Sequence, residues 1–555
     1  RYTWHDSTKE PVRGFIVASM VQWRFFIVYL CACSAYFAHA WVGRPRSVVM
    51  PPDAVVDIYE HETPRSLGGT QTPLFAHIPL DHFEPENSAS RKMWSLKYFI
   101  DGSHFSPGGP MVVKMPSEGA LHGCAAGTLS KSLHAIVVCS QHRFFGDTVP
   151  GNDSSVANLR YLTVEQNLAD VVSLIKHVRW QYPSVGKVVA YCGSYSAACA
   201  TWIRRFYPTE VNAAIALSPP LVARLDFSEY DTSNLVALSS PDSRCAQLMA
   251  RLNIAIERLL STSRSALMRL YNASFTIDSL MGNVDFMYGV ADYVAGLVQY
   301  GKKADFCSAV VPLWDKNSSM TDWDWAEKYA AMLPKDTFSQ CFYNTTCMRE
   351  SVAGPVAEGA RSWYWIKCTQ LGYFQTAPRT GLSARAKALT VEALLEQCHA
   401  IFGSGVSYIT EQKVALWNEK ANAGHTAADD NVFEINYADD PWKMTSTIEA
   451  AQRSAWPFSL GSQPYMLLTC DGCGHCGAGV SEALRENITK QMVSYLTKWG
   501  IASDSRPIRK EPDSSNSFLY RRFSADVEEE TAMMQTETCT SLRDKPSFGE
   551  PGSLE

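Results

Sequence analysis

Val188-Val189-Ala190-Tyr191-Cys192-Gly193-Ser194-Tyr195-Ser196-Ala197-Ala198-Cys199-Ala200 is the stretch that decides how this chain is read. A β-branched run enters a cluster of small residues, and an alanine-rich, helix-like segment leaves it. One serine, Ser194, sits at the corner. A sharp strand-to-helix turn of this kind lifts a serine hydroxyl above the edge of a sheet. The layout predicts a strand over Lys187–Cys192 and a helix that Pro208 stops. It also predicts a reaction type, covalent acyl transfer. A Gly-Ser pair alone is an ordinary loop feature, so the flanking elements and the partners of the serine carry the weight.

A serine hydroxyl is a weak nucleophile and needs a histidine base oriented by a carboxylate. Where a strand–turn–helix elbow carries the serine, the acid and then the histidine follow later strands. Both places are filled. Asp440 lies in Asn436-Tyr437-Ala438-Asp439-Asp440-Pro441-Trp442, just past a strand signal at Asn431–Asn436. His475 lies in Asp471-Gly472-Cys473-Gly474-His475-Cys476, just past a strand signal at Tyr465–Thr469. Asp439 competes with Asp440 for the acid role. Cys470, Cys473, His475 and Cys476 invite a zinc reading. They are packed into seven residues with no second knuckle, so disulfides or a free thiol beside the histidine are expected instead, with no metal and no cofactor. The backbone N–H of Tyr195 is the expected first oxyanion donor. The second is expected from Pro116-Ser117-Glu118-Gly119, at Glu118 or Gly119, although the same residues would also suit a plain turn.

Around the elbow, strands and helices alternate. Met93–Ile100, Met111–Met115, Ala135–Cys139 and Ala213–Leu217 read as strands. Thr163 opens a helix with Gln166 at capping-box spacing. Val164, Leu168, Val171, Val172, Ile175 and Val178 fall on one face of that helix. This alternation predicts a parallel sheet covered on both faces. Residues 221–425 then turn mostly helical. A final amphipathic helix carries Leu484, Ile488, Met492, Leu496 and Trp499, with Gly500 as its stop. The expected fold class is α/β, an α/β-hydrolase core with an inserted helical cap domain. The expected divisions are core over 75–220, cap over 221–425 and core again over 426–500.

The 555 residues carry a net charge of -6, with 46% apolar and 19% charged residues. These are globular values without the basic excess that nucleic-acid binding requires. Met20–Arg24 followed by Phe25–Cys33 and Ala38-His39-Ala40 reads as a signal peptide over 20–40, cleaved after Ala40, with 1–19 as an upstream extension. The apolar run is shorter than the roughly 20 residues of a spanning helix, so stable membrane insertion is not expected after cleavage. Residues 41–74 read as a leader or propeptide and 501–555 as a disordered polar tail. Sequons at Asn152, Asn272, Asn317, Asn344 and Asn487 fit secretion. So does the pair Cys341 and Cys347, plausible disulfide partners in an oxidising compartment.

The chain resembles the serine carboxypeptidases that include lysosomal Pro-X carboxypeptidase, dipeptidyl peptidase II and thymus-specific serine protease. The likeness runs in order through Leu80–Phe83, Ser117-Glu118-Gly119, His142–Gly146 and Tyr161–Asp170. It continues through Gly193-Ser194-Tyr195, Gly296–Tyr300, Trp363, Cys368-Thr369 and Gly372–Thr376, and ends at Asp440-Pro441-Trp442 and His475-Cys476. The resemblance implies cleavage after proline near one end of short peptide substrates, in acidic vesicles, lysosomes or outside the cell. By position it implies Ser194 as nucleophile, Asp440 as orienting acid and His475 as base. A homodimer is compatible with it.

Several residues depart from the family pattern. Cys192 and Ser196 stand where the elbow has glycines. Gln141 stands for Glu before His-Arg, and Gln370 for Glu after Cys-Thr. Tyr437 and Asp439 replace Gly and Leu. Loss of the two carboxylates is expected to alter how a substrate terminus is read. The altered elbow motivates a second reading, a catalytically impaired peptide-binding protein. An esterase on the same fold is a third. Whether one C-terminal residue or an N-terminal dipeptide leaves is open at this level.

Overall fold

Alternate residues of a strand face opposite sides of the sheet, and here the apolar ones sort accordingly. Val113, Val138, Ala190 and Ala214 join one buried cluster together with Leu168, Val172 and Trp202. Val112, Val189, Ile215 and Phe433 join a second with Ile488, Met492 and Leu496. A sheet that is apolar on both faces has to be covered on both. The computed structural model describes residues 71–85, 88, 91–273, 281–334, 337–339, 341–353, 359–422, 431–446 and 465–502. The signal peptide, the upstream extension, nearly all of the leader and nearly all of the tail lie outside them.

The strands are β1 (Leu74–Pro79), β2 (Met93–Asp101), β3 (Met111–Lys114), β4 (Ile136–Ser140), β5 (Val188–Gly193), β6 (Ala213–Leu217), β7 (Arg224–Asp226), β8 (Gly372–Phe374), β9 (Val432–Tyr437) and β10 (Tyr465–Leu468). Eight of them form one sheet in the order β1-β2-β4-β3-β5-β6-β9-β10. The β1–β2 and β2–β4 pairs are antiparallel, and the remaining pairs are parallel. This is the α/β-hydrolase core that the sequence led us to expect. The helices that matter below are α1 (Val164–Gln181), α2 (Ser194–Phe206), α3 (Asn283–Gln299), α4 (Ala360–Ile366) and α5 (Glu482–Lys498).

Thr163 caps α1 by accepting the Gln166 N–H at 3.1 Å, a contact worth about 1 kcal/mol. The expected capping box forms only on that side. The Gln166 side chain turns to the chain after β1, where it accepts the His82 N–H at 2.9 Å and donates to Asp81 at 2.6 Å. Nearby, Arg143 donates to both oxygens of Asp170 at 2.7 and 2.6 Å, and His82 Nε2 lies 2.7 Å from the same carboxylate. Arg143 also reaches the carbonyls of Leu80 and Tyr161. Three of the stretches that carry the family likeness therefore meet in one buried network that holds α1 against β1.

Between β6 and β9 the regular elements among the described residues are helices, except for the parallel pair β7–β8, in which Arg224 pairs with Gly372. Three residues per strand are too few for a period-2 pattern, and so the sequence did not show them. Gly372 has φ +75°, and a Cβ there would stand 2.2 Å from the Arg224 carbonyl oxygen. Only glycine fits. Among the described residues no helix is long and apolar enough to cross a membrane. Of the sequon asparagines, Asn152, Asn272 and Asn487 are exposed. Asn344 is buried and caps a short helix by accepting the Cys347 N–H.

Candidate active site

β5 ends at Gly193 and α2 begins at the next residue, Ser194. No loop separates them, so the backbone must reverse within one residue. Ser194 takes φ +60°, the left-handed region, at a cost of order 1–3 kcal/mol for a residue with a side chain. Such strain persists where the surroundings fix it. Ser196, which replaces a glycine at this elbow, helps to do so. Ser196 is fully buried, and its hydroxyl donates to the Pro116 carbonyl at 2.9 Å. That bond ties α2 to the loop after β3. Cys192 sits in the core at the end of β5.

His475 follows β10 and is buried, while Asp440 follows β9 and is wholly inaccessible. The imidazole bridges the other two groups. Its Nδ1–H donates to Asp440 at 2.8 Å, and its Nε2 lies 2.7 Å from Ser194 Oγ. The second oxygen of Asp440 accepts the Trp442 N–H at 2.9 Å. Burial disfavours the imidazolium, but the adjacent Asp440 carboxylate, aided by Cys476, outweighs it and holds His475 well above the ordinary histidine value.

Asp439 makes no such contact. It accepts the Gly472 N–H at 2.7 Å and pairs with buried Lys303 at 2.8 Å. Lys303 also reaches Asp471 at 2.6 Å. Cys470 and Cys473 are bonded to each other, and Cys476 is a buried free thiol. The pair Cys341 and Cys347 is bonded as well. The Cys476 N–H donates to Ser218 Oγ at 2.9 Å. Ser218 and Cys476 take φ +52° and +54°, so all three strained corners of the site belong to non-glycine residues.

Of the expected oxyanion donors, Tyr195 lies in the first turn of α2, where amides have no intrahelical acceptor. Glu118 and Tyr195 border the same pocket as Ser194. Gly119 is fixed from behind. Gln141 Nε2 donates to its carbonyl at 2.7 Å, while Gln141 Oε1 accepts the Leu121 N–H at 2.6 Å. Gln370 works in the same way elsewhere. It accepts the Val164 N–H and donates to the Leu162 carbonyl, each at 2.8 Å. The expectation that these glutamines bear on a substrate terminus is therefore corrected. Neither borders the pocket, and both clamp backbone through an NH₂ donor that an ionised carboxylate lacks.

The pocket over Ser194 has a volume of about 120 Å³. Its wall includes Tyr230, Tyr288, Asp292, Trp363 and Lys367 from the helical segment and Trp442 from the core. The sequence singled out several of these as family-like, but no periodicity placed them around one cavity.

Residues 78–466 match the serine carboxypeptidase S28 family. The chain belongs to that family. Among its S28 relatives, the thymus-specific serine protease of Homo sapiens is 24% identical over 498 residues, covering 81% of this chain and 93% of its own. The Mus musculus protein of that name is 26% identical over 427 residues, covering 72% and 80%. An epoxide hydrolase structure from Vigna radiata aligns with 76% of this chain and 98% of its own at 14% identity and a TM-score of 0.29. The S28 protein described here is a serine-type peptidase with an α/β-hydrolase core.

Proposed function

We propose that this S28 peptidase is an exopeptidase that cuts after proline near the end of short peptides. Ser194, His475 and Asp440 act as nucleophile, base and orienting acid. The observation that carries the reading is the unbroken hydrogen-bond chain from Ser194 Oγ through the imidazole to Asp440. As Ser194 Oγ attacks the scissile carbonyl, its proton passes to His475 Nε2. The imidazolium then returns that proton to the departing amine, leaving an acyl-enzyme. Water repeats the sequence and frees the acid, with its proton taken by His475 and returned to Ser194. Asp440 keeps Nδ1 protonated throughout. The amides of Tyr195 and of Glu118 or Gly119 are the candidate oxyanion donors.

A proline ring is apolar and rigid, and it suits a pocket walled by Tyr230, Tyr288, Trp363 and Trp442. Five disulfides with both partners among the described residues support work in the secretory pathway, an acidic vesicle or outside the cell. A fluorophosphonate probe should label Ser194 in the wild type and fail to label the Ser194→Ala variant. Folded wild type that stays unlabelled would overturn the proposal. Mass spectrometry on peptide pairs with proline or alanine before the cut tests the specificity.

A further inference from the structure

Acyl transfer by the triad leaves one charged group of the pocket without a task. Lys367 directly follows α4 and borders the same pocket as Ser194, although it is only 3% exposed. Its ammonium lies over the rings of Tyr364, Tyr288 and Phe374, at 5.1, 5.4 and 5.6 Å. The Tyr288 hydroxyl, 3.4 Å away, is its sole hydrogen-bond partner among the described residues. None of the described carboxylates comes within ion-pair distance.

The nearest acid is already engaged. Asp292 on α3 pairs with Arg385 at 3.0 Å and accepts the Tyr343 hydroxyl at 3.1 Å. Arg385 is itself buried between the rings of Tyr230 and Tyr288, and its Nε and Nη1 have no partner. Arg385 thus has Asp292 as its ion-pair partner and buried Asp231 near by, while Lys367 has no carboxylate at ion-pair distance among the described residues. Burial of an ammonium without a counter-ion is costly. Burial pulls Lys367 down to about 7, with Asp292 opposing and Arg385 reinforcing the change. The groups facing it are Asp292, Arg385, Tyr288 and Tyr364, and a ligand carboxylate would give the ammonium the direct partner it lacks.

We infer that Lys367 receives the C-terminal carboxylate of the peptide, which makes this S28 protein a carboxypeptidase and not a dipeptidyl peptidase. The assignment rests on reading the pocket over Ser194 as the substrate site. A free N-terminal ammonium brought to the same cluster would meet two positive charges and an acid with its acceptors already in use. Glu118, the other acid on the wall, repels a carboxylate at the core side of the pocket. Lys367 is therefore its receptor. A charge-assisted, desolvated contact of this kind is worth roughly 10- to 100-fold in selectivity.

The test compares a blocked proline peptide as free acid and as C-terminal amide. In wild type, kcat/KM for the free acid should exceed that for the amide by roughly 10- to 100-fold. In Lys367→Met, which keeps the apolar stem, the preference should collapse towards unity. The ratio is read within one protein sample, so a general loss of folding or of triad chemistry cancels. Equal rates on acid and amide in wild type, or an unchanged preference in the variant, would overturn the assignment. Binding of the same two peptides to Ser194→Ala, by calorimetry, separates this inference from the hydrolase proposal. Preferential binding of the acid that disappears in the Ser194→Ala/Lys367→Met double variant supports Lys367 even if wild type resists the fluorophosphonate. Equal binding of both peptides refutes it even if wild type is labelled.

Discussion

The carboxylate of Asp439 accepts the backbone N–H of Gly472 at 2.7 Å. The loop that bears Asp440 is thereby fastened to the loop that bears His475. Two backbone bonds run beside it, from Ala438 to the Leu468 carbonyl and from Asp439 to the Cys473 carbonyl, at 2.8 and 3.0 Å. Lys303, donated by the helical segment, closes the arrangement by pairing with both Asp439 and Asp471. The residue that replaces a family leucine is thus part of the frame that sets the distance from Asp440 to His475.

Replacing Asp439 by Asn should loosen that frame. Lys303 would stay buried with only the exposed carboxylate of Asp471 for a partner. A loss of roughly 2–4 kcal/mol is expected in urea unfolding, of the order seen when one partner of a buried pair is removed. On the protein that remains folded, kcat should fall more than KM changes, because the histidine and not the pocket is displaced.

The glutamines allow a sharper check. In Gln141→Glu an ionised carboxylate has no donor for the Gly119 carbonyl, and roughly 1–3 kcal/mol should be lost at neutral pH. Protonation restores an O–H donor, so the lost stability should return as pH falls. Thermal unfolding across pH 4–8 reads this directly, and a pH-independent deficit would count against it. Gln370→Glu should show the same stability trend while leaving hydrolysis rates on the folded enzyme near wild type, since that clamp lies away from the pocket.

The pH profile of hydrolysis should depend on the substrate's end group. The proposed mechanism needs neutral His475, whose value Asp440 raises against the effect of burial. For an amide peptide, kcat/KM should fall as pH drops through that raised value and level off above it. For a free acid a second, alkaline limb should appear, because Lys367 loses its proton above about 7 in the empty pocket. One-limbed and bell-shaped curves are then expected for the two peptides. Superimposable curves would remove Lys367 from the account.

Cys245 and Cys307 are bonded across a separation of 62 residues in the helical segment. Loop-closure entropy for that span is about 4 kcal/mol. The Cys245→Ser/Cys307→Ser variant should lose stability of that order in denaturant titration, without loss of fluorophosphonate labelling under native conditions.

Much of the fold could be read from the chain because its signals are local. Valine-rich strands, the Thr163 cap and the turn at Ser194 each announce themselves within a few residues. The order serine, acid, histidine singled out Ser194, Asp440 and His475 for the same reason, since each follows a strand of its own, and the structure brings the three side chains together. The competition between Asp439 and Asp440 needed coordinates, because adjacent residues on a turn point in different directions and the sequence does not say where. Gln141 and Gln370 were misjudged for a related reason. Their backbone hydrogen-bond partners lie 20 or more residues away, and the sequence offered only the missing charge to reason from. The pocket wall was the least legible, as it draws on residues from Glu118 to Trp442 that share no common period.

Ser194 and His475 stand 281 residues apart in the chain. A ribosome adds about 5–20 residues per second, so the serine emerges on the order of tens of seconds before its base. Under the proposed mechanism the hydroxyl lacks its base throughout that interval. The long helical segment between them therefore sets an order of synthesis: the two groups that meet at 2.7 Å can come together only once nearly all of the sheet has been made.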